Sequence, residues 1–279
     1  MSTNPVMKVN DRERSLQLSY SQIFTYLGCS LKYRFQYVEK RQPERQSISL
    51  LFGRAFHDAI ERFYLKVKTR GDYDRLNTLT GYFENVLRLA LDESEVPVFY
   101  KKETPDADSA VSLGKSLIET FYERVNLDGY QIVDAELPLT AELYDANGSS
   151  TGFKLYGILD LLLFDENRQR LVVVDTKTAA KPKSQSNVDE DLQFSSYAYL
   201  LAANKFSSRT DTVNCRMDVL RKLKTPKMEY YWTQRTAEDR KRFAKIASGV
   251  LNGIDNQVFI PNRSWLCSDC QYTEACRSW

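Results

Sequence analysis

The chain has 279 residues, of which 42% are hydrophobic and 27% are charged, and its formal net charge is +2. This length allows one large domain or two small ones, and the composition excludes wholesale disorder and fibrous structure. The longest apolar run, Tyr197 to Ala203, is far shorter than the ~18 residues of a membrane helix. The segment Met1–Arg14 is polar, without the apolar stretch of a secretory signal, so we expect a cytosolic (cytoplasmic) protein without membrane association.

The first half of the chain is predicted to be helical. Ser19 opens an S-x-x-Q capping box with Gln22, which predicts a helix running toward Cys29. Apolar side chains at three- and four-residue spacing and further patterning predict helices over 50–68, over parts of the acidic segment 72–108, and over about 109–126. We interpret residues 70–130 as a helical insertion within a single domain spanning residues 1–279.

The second half of the chain alternates as strands do. The predicted strands are 132–143, 153–164, 171–178, 212–221 and 228–234, and the predicted helices are about 190–204 and about 236–252. Residues Leu171–Val174 form an uninterrupted apolar run, which predicts a central strand covered on both faces. This order of elements predicts an α/β fold with a mixed sheet flanked by helices.

Two acids, Asp160 and Asp175, stand inside very apolar strands, where a carboxylate is costly unless something compensates it. If the loop 165–170 closes the hairpin symmetrically, Asp160 lies directly opposite Asp175, with their Cβ atoms about 5 Å apart. A cation between them would relieve the repulsion, and carboxylate oxygens suit Mg²⁺ or Mn²⁺. The alternative is a charge-balanced Asp–Lys pair at a frayed strand end.

Further side chains could complete such a site. Lys177 lies two residues beyond Asp175 and on the same strand face, where its ammonium can orient a water or stabilise developing negative charge. His57 is the only histidine and offers an imidazole ligand, although a lone histidine is more often structural. Gln193 and Tyr197 share one helix face, and a packed tyrosine beside a solvated glutamine is the alternative.

The order of these residues resembles the RecB-like branch of the PD-(D/E)XK nuclease superfamily. The resemblance is carried by His57 in GRAFHDAIE, Asp160 in GILD, Asp175-Thr176-Lys177 and Gln193-x-x-x-Tyr197. It implies a restriction-endonuclease-like mixed-sheet core. It also implies a divalent-metal-dependent DNA nuclease, a phosphodiesterase that cuts single-stranded DNA exonucleolytically or near an end.

The resemblance also implies roles for individual residues. The implied ligands of Mg²⁺ or Mn²⁺ are His57, Asp160, Asp175 and the carbonyl of Thr176, the implied catalytic lysine is Lys177, and the implied contacts to DNA are Gln193 and Tyr197. Glu136, on the preceding strand, matches an acidic position found in some relatives. The acid before the lysine is aspartate here rather than the commoner glutamate, and its shorter reach bears on metal preference.

The C-terminal segment 261–279 carries Cys267-x2-Cys270-x5-Cys276, while Cys29 lies far upstream. In a reducing cytosol, clustered cysteines indicate metal binding rather than disulfides. A three-plus-one set fits an iron–sulfur cluster better than a zinc ribbon with two close pairs, and zinc on the same thiolates is the alternative. The set resembles that of AddB-type helicase-nucleases and CRISPR-associated adaptation exonucleases. It implies a [4Fe–4S] cluster joining the N- and C-terminal arms, with CRISPR adaptation or recombination proteins as partners.

Three points stay open in the sequence. The basic segment 216–245, with Tyr230, Tyr231 and Trp232, could follow phosphates and stack on bases, or its aromatics could be core residues of an edge strand. Cys215 is predicted to be a buried free thiol. The rival to a nuclease is a non-catalytic DNA-binding or complex-forming subunit, which would need neither the acid nor the lysine of the Asp-x-Lys pair.

Overall fold

The computed structural model describes residues 17–145 and 147–279, so the predicted polar terminus Met1–Arg14 lies outside the described residues. The strands are β1 (Gln17–Ser19), β2 (Gln46–Ser47), β3 (Val98–Phe99), β4 (Tyr130–Tyr144), β5 (Ser150–Asp165), β6 (Arg170–Ala179), β7 (Val213–Arg221) and β8 (Lys227–Arg235). The α-helices are α1 (Tyr20–Gly28), α2 (Ser30–Tyr33), α3 (Ile48–Arg70), α4 (Leu76–Asp92), α5 (Ala107–Arg124), α6 (Gln185–Asp189), α7 (Leu192–Ala203), α8 (Ala237–Asp255) and α9 (Thr273–Arg277). Within these ranges, no helix combines the length and the apolarity needed to cross a bilayer.

Helix boundaries follow their caps. Ser19 and Gln22 form the capping box predicted for α1, and Thr236 forms one with Asp239 at the start of α8. The helix predicted over 50–68 is α3, which begins two residues earlier because Ser47 caps it. The helix predicted from about 190 is α7, whose N-terminal cap is the side chain of Asp191. Local sequence therefore defines these ends well.

The main sheet has six strands in the order β1-β5-β6-β7-β8, with β4 also paired to β5. Strand β6 pairs antiparallel with β5 and parallel with β7, so the sheet is mixed as predicted. The side chains of residues 172–174 are completely buried, which confirms the prediction of a central strand covered on both faces. Strands β2 and β3 form a separate two-stranded sheet.

Strand β5 shares one of its two edges between two partners. Strand β4 pairs along one edge of β5. On the other edge, β1 pairs with residues 154–156 and β6 pairs with residues 161–165. No strand of the described chain pairs with residues 157–160 on that edge, and we call this opening the sheet gap.

Hydrophobic clusters cover both faces of the sheet. One contains buried residues of α1, α7 and α8 together with the sheet, for example Ile23, Phe194 and Phe243. The other contains α3, α4 and α5. Helices α4 and α5 belong to the segment 70–130 and pack on α3 through contacts such as Phe52 against Phe83. Their assignment as an insertion remains a prediction.

The two ends of the described chain meet. The backbone N–H of Leu31 donates to the carbonyl of Ile260 at 3.2 Å, and the carboxylate of Glu44 accepts from the N–H groups of Glu274 and Ala275. Tyr272 is buried against Leu31 and Phe35. The C-terminal segment from residue 261 therefore lies against the N-terminal segment formed by α1, α2 and the π-helix Arg34–Val38 that follows them.

Candidate active site

The hairpin of β5 and β6 closes with the predicted register. Its paired residues run from Asp165 opposite Arg170 to Leu161 opposite Val174, but the ladder ends one pair before Asp160 and Asp175. There the strands separate, and the backbone N–H of Thr176 donates to Oδ2 of Asp160 at 3.0 Å. The two acids therefore lie beside the sheet gap, where the strands no longer bond to each other.

Glu136 faces the same place from β4. The pairing of β4 with β5 omits Glu136 and Asp160, and Glu136 has a φ of 50°, a left-handed conformation that non-glycine residues adopt rarely. Ala135 packs in one core cluster and Leu137 packs against the other. Residues two apart in a regular strand share a face, so the alternation of side chains is broken at Glu136. Ligand atoms of Glu136, Asp160 and His57 all lie within 4.8 Å of one another.

His57 reaches the acids from α3. Its Nδ1 lies 3.4 Å from Oδ2 of Asp160. Burial lowers the pKa of His57, and although the charge of Asp160 counteracts this, the net shift is downward. The imidazole is therefore neutral at physiological pH, which is the form that binds metals.

Asp175 and Lys177 form a pair at the edge of this group. Asp175 is only 1% exposed, and Nζ of Lys177 donates to its Oδ1 at 2.9 Å. Nζ also lies 2.9 Å from Oδ2, yet this buried oxygen accepts no well-aligned hydrogen bond from residues 17–145 or 147–279. Burial raises the pKa of Asp175 to about 7 against the effect of Lys177. Burial lowers the pKa of Lys177, but the charges of Asp175 and Asp160 outweigh it and raise the pKa overall.

The site has more carboxyl groups than cationic groups. Three carboxylates, on Glu136, Asp160 and Asp175, stand near one ammonium and one neutral imidazole. Burial raises the pKa of Glu136 to about 8, and the charge of Asp160 adds to the effect. Oxygen donors with one imidazole suit Mg²⁺ or Mn²⁺, and the unpartnered oxygen of Asp175 offers a further donor. The residues therefore fit a divalent cation, and the predicted Asp–Lys pair exists within this larger acidic group.

Helix α7 supplies the predicted pair Gln193 and Tyr197. Nε2 of Gln193 donates to the Tyr197 hydroxyl at 2.7 Å, and Tyr197 is 3% exposed. Both residues line a groove of about 810 Å³ that also contains His57 and Asp160. A Cβ atom at Gly157 would lie 2.7 Å from Cδ1 of Leu200, so glycine at this position lets α7 approach β5 beside the sheet gap.

The match to known proteins agrees with this geometry. The family model of the PD-(D/E)XK nuclease superfamily matches residues 17–277. This chain belongs to the PD-(D/E)XK nuclease superfamily. It is accordingly a nuclease of a superfamily that acts on DNA with divalent metal ions, as the order of His57, Asp160, Asp175 and Lys177 implied.

The chain was also matched to solved structures, one of which has a similar fold. One, from Eubacterium rectale and named "Putative exonuclease", is 11% identical, has a TM-score of 0.56 and covers 100% of this chain and 93% of its own. Another, SSO0001, is 12% identical, has a TM-score of 0.38 and covers 89% of this chain and 94% of its own. No curated protein matches this PD-(D/E)XK nuclease.

The four predicted cluster cysteines of the nuclease meet at one place. Cys29, Cys267, Cys270 and Cys276 line a cavity of about 150 Å³ between the two ends of the chain. The pKa of the Cys276 thiol is raised, first by burial and then by the charges of the other three thiols. The fifth, Cys215, is buried in the core, as predicted, and burial raises its pKa to about 12.

The basic segment 216–245 of the nuclease uses many of its charges internally. Arg216 is 7% exposed and forms a bidentate pair with Asp218, and the buried Arg235 donates to Ser195 and to backbone carbonyls. Of the three aromatics, Tyr231 packs against the core, whereas Tyr230 and Trp232 are exposed. The segment therefore forms part of an edge strand with one aromatic ring in the core and two exposed, and contact of these two rings with DNA stays a prediction.

Sequence reasoning missed three groove tyrosines. Tyr20, Tyr37 and Tyr156 line the groove with His57 and Asp160. Tyr20 and Tyr37 come from the N-terminal segment and reach the groove through the pairing of β1 with β5. No short motif marks them, so only the tertiary arrangement identifies them.

Proposed function

We propose that this nuclease hydrolyses single-stranded DNA, or DNA near an end, as an exonuclease dependent on Mg²⁺ or Mn²⁺. The observation that carries the proposal is the sheet gap, which gathers His57, Glu136 and Asp160 around one point with Asp175 and Lys177 beside them. A non-catalytic subunit would have no need for three carboxylates at such cost in a sheet. The resemblance of the cysteine set supports a role in CRISPR adaptation or in recombination.

The chain supplies both a metal site and its own polar groups. His57, Glu136 and Asp160 would hold the cation, with Asp175 beside them, and the cation supplies water activation and stabilisation of negative charge on the phosphate. Asp175 fixes the ammonium of Lys177, which can donate hydrogen bonds to the attacking water or to a phosphate oxygen as charge develops. Because the Tyr197 oxygen accepts from Gln193, its own O–H is free to donate to a substrate oxygen in the groove.

Lysine-to-methionine variants test the catalytic proposal. Lys177→Met should slow cleavage of a labelled single strand with Mn²⁺ by about 10²–10³-fold, the usual cost of losing one preorganised donor. Lys181→Met, at an exposed position beyond β6, is the matched control and should cut at the wild-type rate. Equal rates for both variants would exclude this mechanism. DNA binding without cleavage by the wild type under any divalent ion would favour a non-catalytic subunit.

We further propose that Cys29, Cys267, Cys270 and Cys276 hold a [4Fe–4S] cluster. All four line one cavity, and their three-plus-one spacing in the sequence fits four thiolates on a cluster better than a zinc ribbon with two close pairs. Backbone N–H groups of Asn262 and Ser264 point at the sulfurs of Cys29 and Cys267 at 3.5 and 3.4 Å, as suits iron–sulfur ligands.

Anaerobic purification with metal analysis tests the cluster. The wild type should be brown and contain about four irons per chain. Cys270→Ala should lose the colour and the iron, whereas Cys215→Ala, at the buried cysteine outside the cavity, should retain both. A colourless protein with one zinc per chain would show that these cysteines hold structural zinc instead of the cluster.

A further inference from the structure

The groove beside the carboxylates has an unusual lining for a nucleic-acid site. Four of its lining residues are tyrosines, namely Tyr20, Tyr37, Tyr156 and Tyr197. Among the described residues, neither a lysine nor an arginine lines it. Lys177, the cation nearest the carboxylates, is engaged with Asp175.

This lining determines how a strand can be held. Proteins that grip phosphates use lysine and arginine, and each neutralised phosphate makes the affinity more dependent on salt. Aromatic side chains instead stack on unpaired bases, with little dependence on sequence. A groove of tyrosines and uncharged polar groups such as Gln17 and Ser21 is therefore suited to bases rather than to phosphates.

The four tyrosines differ in accessibility. Tyr197 is almost fully buried and its hydroxyl is bonded to Gln193, while the ring of Tyr20 packs on Phe24 at 5.9 Å. Tyr37 and Tyr156 are half-buried and line the groove. Among the described tyrosines of the groove, Tyr156 forms no aromatic ring pair, whereas the ring of Tyr37 packs on Tyr33 with centroids 5.0 Å apart, which leaves its other face for a base.

Tyr156 lies at a useful distance from the site. It pairs with Ser19 at the end of the β1–β5 ladder and precedes Asp160 by four residues, which is about 13 Å along a strand. Stacked nucleotides follow each other at about 3.4 Å, so a base on Tyr156 lies within roughly four nucleotides of the phosphate to be cut. Tyr37 enters from the N-terminal segment.

We propose that Tyr156 and Tyr37 stack on unpaired bases a few nucleotides from the scissile phosphate and so select single-stranded DNA over duplex. This inference rests on the proposed nuclease function and names the residues that determine its specificity. Duplex DNA keeps its bases stacked on one another, so it offers no free base face to these rings.

The test couples tyrosine variants to abasic DNA. Binding of a fluorescent single-stranded 12-mer is measured by anisotropy in an Asp175→Asn background, which prevents cleavage, with one abasic position moved along the strand. Tyr156→Ala should weaken binding roughly tenfold, and Tyr156→Phe should leave it unchanged. An abasic site at one position of the strand should lower the affinity of the Tyr156→Phe variant roughly tenfold, and it should leave the affinity of the Tyr156→Ala variant unchanged. Tyr37 variants should behave likewise at a neighbouring position.

Controls separate this proposal from the proposed function. Trp232→Ala removes an accessible aromatic outside the groove and should leave binding unchanged. If Trp232→Ala weakens binding as much as Tyr156→Ala does, the bases are bound at the edge strand β8 and the proposal is overturned. If every abasic position weakens binding by a similar amount, no particular base stacks on these tyrosines and the proposal is overturned. The nuclease function stands in that case, provided that the wild type cuts DNA. No binding and no cleavage by the wild type would overturn both.

Discussion

Glu136 combines two costly features in one residue. Its backbone adopts φ of 50°, a strain of about 1–3 kcal/mol for a non-glycine residue. Its carboxyl is half-buried near Asp160, and burial raises its pKa to about 8. A structure retains such a residue when another interaction compensates it, and a bound cation would do so.

Glu136→Gln should therefore reveal the cation site through stability. The pKa of Glu136 is about 8 in the folded chain and 4.5 as its reference value. Between these values the folded state binds more protons than the unfolded state, so the free energy of unfolding falls as pH rises. In a chelator at pH 8, Glu136→Gln should be more stable than the wild type by about 2 kcal/mol, with allowance for partial exposure. At pH 4.5 the two should be nearly equal.

Adding Mn²⁺ at pH 8 should reverse that order. The wild type should gain melting temperature because binding to the folded state alone stabilises it, and Glu136→Gln should gain much less. Thermal unfolding followed by circular dichroism measures both effects. An identical Mn²⁺ response in the two proteins would place the cation away from Glu136.

The sequence predicted most residues that the structure brings together at the candidate site, but not their arrangement. Asp160 and Asp175 were recognisable because acids are costly in apolar strands, and Lys177 because of its period-two spacing. The sequence did not show that Glu136, rather than Asp175, joins His57 and Asp160 in the tightest group. That grouping depends on a left-handed backbone and on a strand whose alternation of side chains is broken, and neither has a sequence signature in a glutamate.

At the scale of elements, helices α4 and α5 meet through a glycine. A Cβ atom at Gly114 would lie 2.0 Å from Cζ of Phe83, and Phe83 is completely buried against Phe52. Gly114 thus sets the distance between the two helices. Gly81, on α4, is its counterpart on an open surface, where an added Cβ would meet no heavy atom of the described residues within 4 Å.

Gly114→Ala and Gly81→Ala should have opposite effects on stability. Gly114→Ala forces the Phe83 ring to move and should cost about 1–3 kcal/mol, as overpacking usually does. Gly81→Ala adds only helix propensity and should stabilise by roughly 0.5–1 kcal/mol. Urea unfolding measures both. If Gly114→Ala leaves the free energy of unfolding unchanged, the two helices can move apart without cost. Segment 70–130 is then loosely attached.

Elements were predictable where the signal is local. The capping box at Ser19 and the hairpin register between β5 and β6 rest on nearby residues, and the structure confirms them. The sheet gap was not predictable, because it arises where β1 pairs with residues 154–156 from far away in sequence. Long-range pairing of a three-residue strand carries too few side chains to leave a pattern.

At the scale of the whole molecule, the cysteine cavity lies between the N-terminal and C-terminal segments. Direct contacts between these segments are mainly hydrogen bonds, among them those of Leu31, Glu44 and Arg45, together with the small hydrophobic cluster around Tyr272. The N-terminal segment that bears Cys29 also supplies Tyr20 and Tyr37 to the groove. A cluster on the four thiolates would therefore hold a wall of the active site as well as the C-terminal segment.

Loss of the cluster should release the tail before it unfolds the sheet. In 261–279 only Tyr272 is buried, so Cys270→Ala should leave this segment to be cut by trypsin at Arg263 at least tenfold faster than in the wild type. The main sheet packs in the two large hydrophobic clusters and should remain protected from trypsin. Cys215→Ala, which alters the core instead, should lower the melting temperature without exposing the tail. Mass spectrometry of timed digests distinguishes the two, and equal protection of the tail in Cys270→Ala would show that hydrogen bonds alone hold it.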